Sequence, residues 1–314
     1  MMRFLKNKIN NPQSGFTLVE LLVVTALSGI VAASIGGAII AQKNLYKQDV
    51  RRSKINQNLR SIFDIIGPQV KLMGERLPST FPAILLEDGG GVAPDTLFVR
   101  RNLHDDILSL RDEIGLGHNA ADKTVVFFSE GQSQAAALYG ISYDGTLPAQ
   151  NAWNQYKMDV WGSADGIAYM YHNSNKMGEF FDFIDLQSVN SSGDNFRAIR
   201  AANGHTWDNN YERSTGQIYL LSEWKLSLVD NYLRLVDSGD EDNYHNLAKN
   251  ISNFQVQIDM QDGAELDEFT DADDWQDIKD IEIVVESTDP VTGNSREWKT
   301  KFFPRNVISS LEDE

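Results

Sequence analysis

Five groups of residues in this sequence are of types that can do chemistry. Glu20 stands alone at the mouth of the apolar run "LLVVTALSGIVAASIGGAIIA", Leu21 to Ala41, shortly after the pair Gly15-Phe16. A carboxylate in hydrocarbon costs several kcal/mol unless it finds a partner, so its placement asks for an opposite charge nearby. The stretch "DMQDGAELDEFTDADDWQD" crowds acids together, among them Asp262, Asp271, Asp273 and Asp274. Hard oxygen ligands at short spacing suit calcium, although their order is not that of an EF-hand loop, and the alternative is a solvated acidic loop. Gly131-Gln132-Ser133-Gln134-Ala135 follows a strand-like run, as a hydrolase nucleophile would, but lacks the second glycine of that elbow. His104, His118, His172, His205 and His245 are widely separated and form no two-His helix motif, which argues against a catalytic zinc. "FVRRN", Phe98 to Asn102, is the compact basic and aromatic candidate for nucleic acid in residues 75–314.

The elements that must position Glu20 come next. Residues 1–14 carry Arg3, Lys6 and Lys8 and no acid. The uncharged run Leu21–Ala41 makes about 31 Å of helix, enough to cross a bilayer core. A secretory signal would have a shorter apolar region of ~7–15 residues before a site such as Ala32-Ala33-Ser34, and a plain signal anchor would fit the length. Neither explains Glu20 or the Gly-Phe junction.

"SGFTLVELLVV" resembles the leader junction of type IV pilins and of the pseudopilins of type II secretion. The resemblance implies cleavage by prepilin peptidase between Gly15 and Phe16, with removal of a leader at 1–15 and N-methylation of Phe16. It makes Glu20 the fifth residue of the mature chain, where the family carries a glutamate that serves assembly. The freed α-amino group of Phe16, on the same or a neighbouring subunit, is then the opposite charge that the carboxylate requires. The positive-inside pattern is not clean, because Lys43, Lys47, Arg51, Arg52 and Lys54 follow the span. We attribute these cations to the polar face of a continuing helix.

That continuation is expected over 42–74. Ile55, Leu59, Ile62, Ile66, Val70 and Met73 recur at helical spacing as one apolar stripe. Gly67-Pro68 is expected to kink or interrupt the helix and Gly74 to end it. Gly36-Gly37 is a soft point within the transmembrane or filament-core helix, 16–41. The segment "INQNLRSIFDIIGPQVKLMGERLP" is similar to the same region of PilW-type minor pilins and J-type pseudopilins.

Residues 75–314 read as a globular β-rich head. Asp88–Asp95 is an expected loop, and Thr96–Arg100 and Thr124–Ser129 are expected strands after it. Asp230-Asn231 divides two alternating runs, a tight-turn pair. "FQVQIDM", "IKDIEIVVES" and "REWKTKFF" are further strands. About 145–215 is expected to be a loop-rich insertion of short elements, ordered because Trp153, Trp161, Tyr169, Tyr171, Phe180, Phe181 and Phe183 need burial. The expected class is α+β and pilin-like, a long N-terminal helix packed on one antiparallel sheet. PilW- and J-type proteins show a similar order of C-terminal elements, and some pseudopilins of this kind bind calcium in that region.

Composition bounds the rest. The chain has 314 residues, 41% of them apolar, no cysteine and a formal charge of -17. Absence of cysteine excludes a disulfide framework, a zinc–thiolate site and a cysteine nucleophile. The acidity repels nucleic acid at long range, so DNA binding is not expected. The implied function is a minor subunit of a type IV pilus, at the tip or in the initiation complex, without enzymatic activity or a cofactor. Its partners are prepilin peptidase, other pilin-type subunits and the inner membrane, with the head outside the cytoplasm. The alternatives are a type II secretion pseudopilin and, from other classes, a membrane-anchored adhesin or DNA receptor and an anchored hydrolase.

Overall fold

The computed structural model describes residues 17–91, 93–110, 113–115, 125–129, 148–188, 196–201, 206–212, 215–238 and 244–308. The chain divides into two units, Met1–Asn56 and Gln57–Glu314. Helix α1, Leu18–Lys71, begins in the first and ends in the second. Its 54 residues would span about 81 Å if straight.

The helix runs through Gly67-Pro68, contrary to the interruption expected from sequence. Pro68 sits in the last turn, so its missing N–H orphans the carbonyl of Asp64, an exposed residue that water can serve. Gly67 is there for space: a Cβ would lie 2.7 Å from Cε1 of Phe302. The helix ends at Lys71 in a turn closed by Gly74, whose φ is +73° and whose N–H donates to the Arg100 carbonyl at 3.0 Å. A side chain at Gly74 would run into the ring of Trp275. Asn306 Nδ2 donates to the carbonyls of Met73 (2.8 Å) and Leu72 (3.4 Å), so acceptors at this helix end are served from the distant C-terminal helix Arg305–Ile308.

Within the second unit the predicted stripe is core. Leu59, Ile62, Ile66, Val70 and Met73 are buried. Phe63, beside them, meets the rings of Trp298 and Phe302. These two belong to β15, Ser295–Phe302, the edge of a four-stranded antiparallel sheet ordered β13 (Glu265–Leu266), β12 (Ile251–Met260), β14 (Ile278–Thr288), β15. Strand β12 alternates as the period of two requires, burying Phe254, Val256 and Ile258, and opposite them β14 buries Ile281, Ile283 and Val285, with Asp280 and Glu282 also buried between.

The head holds three antiparallel sheets among the described residues, where the sequence reading expected one. The second has five strands: β1 (Ile84–Glu87), β2 (Thr96–Asn102), β9 (Leu221–Val229), β10 (Tyr232–Asp237) and β11 (Tyr244–Lys249), in that order. Its β9–β10 hairpin turns on Asp230 and Asn231, both at positive φ (53° and 62°), the conformation that matches strand twist.

The third sheet corrects the loop-rich reading of 145–215. That region contains helix α2, Pro148–Val160, and strands β5 (Gly166–His172), β6 (Met177–Ser188) and β7 (Phe196–Ala201). They join β3 (Leu108–Ser109), β4 (Val125–Ser129) and β8 (Gly216–Tyr219) in a six-stranded sheet, β3-β8-β5-β6-β7-β4. Trp153 of α2 is fully buried on it, its indole N–H donating to the Asp106 carbonyl at 3.0 Å. Where the β6–β7 register slips between Phe183 and Leu186, Asn154 of α2 takes over: its amide receives the Leu186 N–H and donates to the Leu186 carbonyl, both at 3.0 Å. The aromatic residues Trp153, Tyr169, Tyr171, Phe181 and Phe183 are buried, as their type demands. Phe81 packs against Tyr169, Tyr171 and Tyr219 with ring centroids 4.5–6.0 Å apart.

Candidate functional site

Helix α1 starts on a reciprocal cap. Thr17 precedes the first helical residue, and Leu21 N–H donates to its carbonyl at 3.2 Å. Glu20 N–H donates to Thr17 Oγ1 at 3.2 Å, while the Thr17 N–H and hydroxyl both donate to Glu20 Oε2 at 3.3 Å. This is a capping box, which satisfies two of the four orphan donors at a helix start. It also sets a negative charge at the positive end of the helix dipole. The sequence reading missed it, although Thr-x-x-Glu before an apolar run is its signature. The cap occupies one carboxylate oxygen; Oε1 has no partner among the described residues and is free to accept from a cation. Gly15 and Phe16 lie outside the described residues.

The surface behind this cap is apolar and bare. The twelve Leu, Val and Ile side chains from Leu18 to Ile40 are each more than half exposed, from 51% at Val23 to 77% at Leu18. Leaving that many in water forgoes on the order of 20 kcal/mol of burial, more than a whole domain's net stability of about 5–15 kcal/mol. The helix is long and apolar enough to cross a membrane. A bilayer or a sheath of other apolar helices is the medium that can cover it. Among the described residues nothing stands within 4 Å of the places where Gly29, Gly36 or Gly37 would carry a Cβ, so no packing contact among them requires those glycines.

Three of the four candidate carboxylates, those of Asp262, Asp273 and Asp274, serve local turns. Asp262 Oδ1 accepts the Ala264 N–H at 2.9 Å. Asp273 Oδ2 accepts the Thr270 N–H and hydroxyl at 2.8 and 2.9 Å. Asp274 caps the short 3₁₀ turn Trp275–Asp277 by accepting the Gln276 N–H at 3.0 Å. Asp271 offers its main-chain carbonyl to Lys176. Among the described residues no group of three or more His, Asp or Glu is placed to hold one ion.

Arg100 of the basic candidate segment is buried. Its Nε donates to Glu223 Oε2 at 2.6 Å, its Nη1 to the Pro82 carbonyl at 3.3 Å, and its guanidinium lies 5.8 Å from the Tyr169 ring centre. Its Nε and Nη1 are engaged within the head. A cleft of about 440 Å³ opens beside it, lined by Tyr169, Lys176, Met177, Glu268 and Asp271 among others. Burial pushes the Tyr169 phenol up, against the pull of Arg100, so it stays neutral.

His172 is buried, with Nδ1 accepting the Asn175 N–H and Nε2 bonded to the Thr215 hydroxyl. His104 Nδ1 accepts the Asp106 N–H, and His245 is exposed on β11. His118, His205 and Ser133 lie outside the described residues. The sequence also gave no sign of the ion network over the four-stranded sheet, where Lys301 bonds Asp259 and Asp280 and Lys299 bonds Glu282.

Residues 10–36 match the family described as the prokaryotic N-terminal methylation motif. No curated protein and no solved structure matches the chain. The match spans Gly15, Phe16, Glu20 and most of the bare apolar helix, and leaves the head outside it. That motif supports an N-terminus of the type IV pilin-like kind, pilin or pseudopilin, and implies processing by prepilin peptidase.

Proposed function

We propose that the protein is a minor pilin-like subunit, cleaved between Gly15 and Phe16 and assembled through its N-terminal helix into a type IV pilus. The observation that carries this reading is the bare apolar helix opening on the Thr17–Glu20 cap directly after the junction. Cleavage there leaves the cap intact and creates an amine beside it. Glu20 Oε1 is the acceptor for that amine on the same or a neighbouring subunit, and a buried pair of this kind specifies register. As a precursor the chain sits in the inner membrane by one span, with the head outside the cytoplasm.

A subunit repeated along a shaft must fit its head between neighbours. The second unit, Gln57–Glu314, with three sheets, is bulky for that position and favours the tip or initiation complex. The reading assigns no catalytic activity and no cofactor. Calcium is expected to leave the melting of the head unchanged, because Asp262, Asp273 and Asp274 already close turns.

Mass spectrometry of the protein from cells is expected to find a chain beginning at N-methylated Phe16. Gly15→Val is expected to leave the full-length precursor, and Glu20→Ala to be processed but not incorporated. A chain still beginning at Met1 in assembly-competent cells overturns the reading. Deleting the gene is expected to reduce surface pili; loss of protein secretion with pili intact would assign it instead to a type II secretion pseudopilus.

A further inference from the structure

The cleft beside Arg100 holds polar groups that the fold fixes and then leaves unused. Arg100 on β2 is 8% exposed and Tyr169 on β5 is 5% exposed, and both line the cleft. Glu223 and the Pro82 carbonyl hold the guanidinium, yet its Nη2 has no partner among the described residues. Nor has the Tyr169 hydroxyl, and neither atom is sealed from solvent. A polar group at such depth is costly to leave unpaired, so the contents of the cleft must complete it. These groups are positioned in advance. A Cβ on Gly178 would come within 2.5 Å of the Tyr169 ring, so only bare backbone lets the ring lie there. Asn209, also on the lining, is pinned by Glu179, which accepts its main-chain N–H at 3.1 Å and its Nδ2 at 3.4 Å. The Asn209 Oδ1 has no partner among the described residues. Nearer the mouth, the carboxylates of Glu87 and Glu268 are exposed and likewise without a partner there. Met177, 47% exposed, and Leu85 supply apolar wall.

This combination selects a class of ligand. An anion is disfavoured: Glu223 already matches the Arg100 charge, and Glu87, Glu268 and Asp271 outnumber Lys176, the other cation on the lining. A cation would meet carboxylates at the mouth but the Arg100 guanidinium on the floor. A purely apolar ligand would expel water from the floor groups and return no hydrogen bond. An extended peptide needs a free strand edge. The β1 edge that borders the cleft is taken, because Leu86 exchanges both main-chain bonds with Phe269, at 2.8 and 2.9 Å. A hydroxyl both donates and accepts, and a sugar ring carries several beside an apolar C–H face. We propose that this cleft binds a neutral oligosaccharide. Its volume of about 440 Å³ lies in the ordinary range of ligand pockets, about 300–1,000 Å³. A second hollow of about 290 Å³ shares Pro82, Lys176 and Asp271 with the first and continues it past the Lys176–Asp271 contact. There the Asn173 Oδ1 is buried with no partner among the described residues. A linear chain of sugars lies across both hollows, passing over Lys176. The inference goes beyond the assembly reading and does not depend on it.

The test uses the full chain as purified from cells, in a zwitterionic detergent without a sugar headgroup. The probes are neutral oligosaccharides of glucose, galactose, mannose and their 2-acetamido forms, with inorganic phosphate, spermidine and trialanine for comparison. Saturation-transfer NMR is expected to show binding of a neutral oligosaccharide and of none of the comparison probes. Tyr169→Phe removes a hydroxyl that has no partner among the described residues, and Glu268→Ala changes an exposed position. Each is expected to weaken binding about fivefold or more with the melting temperature unmoved. Tyr244→Phe, on β11 and outside the lining, is expected to bind like the parent. The proposal is overturned by no transfer to any oligosaccharide, by tighter binding of phosphate, spermidine or trialanine, by parent-level affinity in either cleft variant, or by equal weakening in Tyr244→Phe.

Discussion

The two ends of helix α1 obey opposite rules within one continuous element. From Leu18 to Ile40 its Leu, Val and Ile side chains cover every side and all stand exposed; from Leu59 to Val70 a single stripe, Leu59, Ile62, Ile66 and Val70, is buried, with Phe63 half-buried beside it and Ile65 left outside it. Backbone geometry is the same in both, so helix propensity does not make the difference. The distribution of apolar residues around the axis does. A stripe is satisfied by one sheet, whereas an all-round apolar surface needs a medium or several neighbours. The first part of the helix is therefore unfinished in the isolated chain, and the second is finished by its own head.

Perturbations should separate these two regimes. The largest effect is expected in the head's ion pair: Glu223→Ala strands the buried Arg100 guanidinium and should cost about 3–5 kcal/mol in denaturant unfolding. An unchanged midpoint would show that water replaces the carboxylate. Ile62→Ala, at a fully buried position, should cost about 2–5 kcal/mol. The matching Ile30→Ala, at 64% exposure, should shift the same transition by less than about 0.5 kcal/mol in detergent. Equal losses from the two isoleucines would erase the distinction between the regimes.

Gly74→Ala should cost about 1–3 kcal/mol, because it strains a positive φ and presses on Trp275. Thr17→Ala removes the cap and should cost the helix start about 0.5–2 kcal/mol, seen as faster amide exchange at residues 18–20 with the head's melting unmoved. A slower head transition in that variant would tie the two parts together. The smallest effect concerns acid. Lys301 holds the Asp259 carboxyl below its ordinary value near 3.8. A depressed carboxylate adds stability above its unfolded pKa and loses it as pH falls through the folded one. Asp259→Asn should therefore lower the melting temperature at pH 7 and make little difference well below pH 3.8.

Much of the candidate site was legible because its signals are local. The Gly15-Phe16 junction, Glu20 and the apolar run are contiguous, and the helix stripe and the Asp230-Asn231 turn repeat at short, fixed spacings. Thr17 was legible too and was passed over, since Glu20 was read only as a charge and not as half of a cap. The region 145–215 was misread for a physical reason. Strand β5 is buried on nearly every residue, Ala168 to His172, so it lacks the alternation that marks a half-exposed strand. It also pairs with β8, which begins only at Gly216, and no local pattern announces a partner that far along the chain. Pro68 was read by its usual effect, but a helix tolerates it where the orphaned carbonyl faces water.

By itself the sequence determined that one end of this protein is an apolar helix opening on a paired carboxylate, and that this end belongs with membrane and like subunits. Composition and short spacing are enough for that, because a helix end and its cap involve neighbours in the chain. Only the tertiary structure decided how the acids and cations of the head are spent. Arg100 and Glu223 stand 123 residues apart, and Lys301 finds Asp259 and Asp280 across two strand pairings. Charge in a sequence is a quantity, and it becomes a pair, a cap or the lining of a cleft only when folding fixes which groups leave water together.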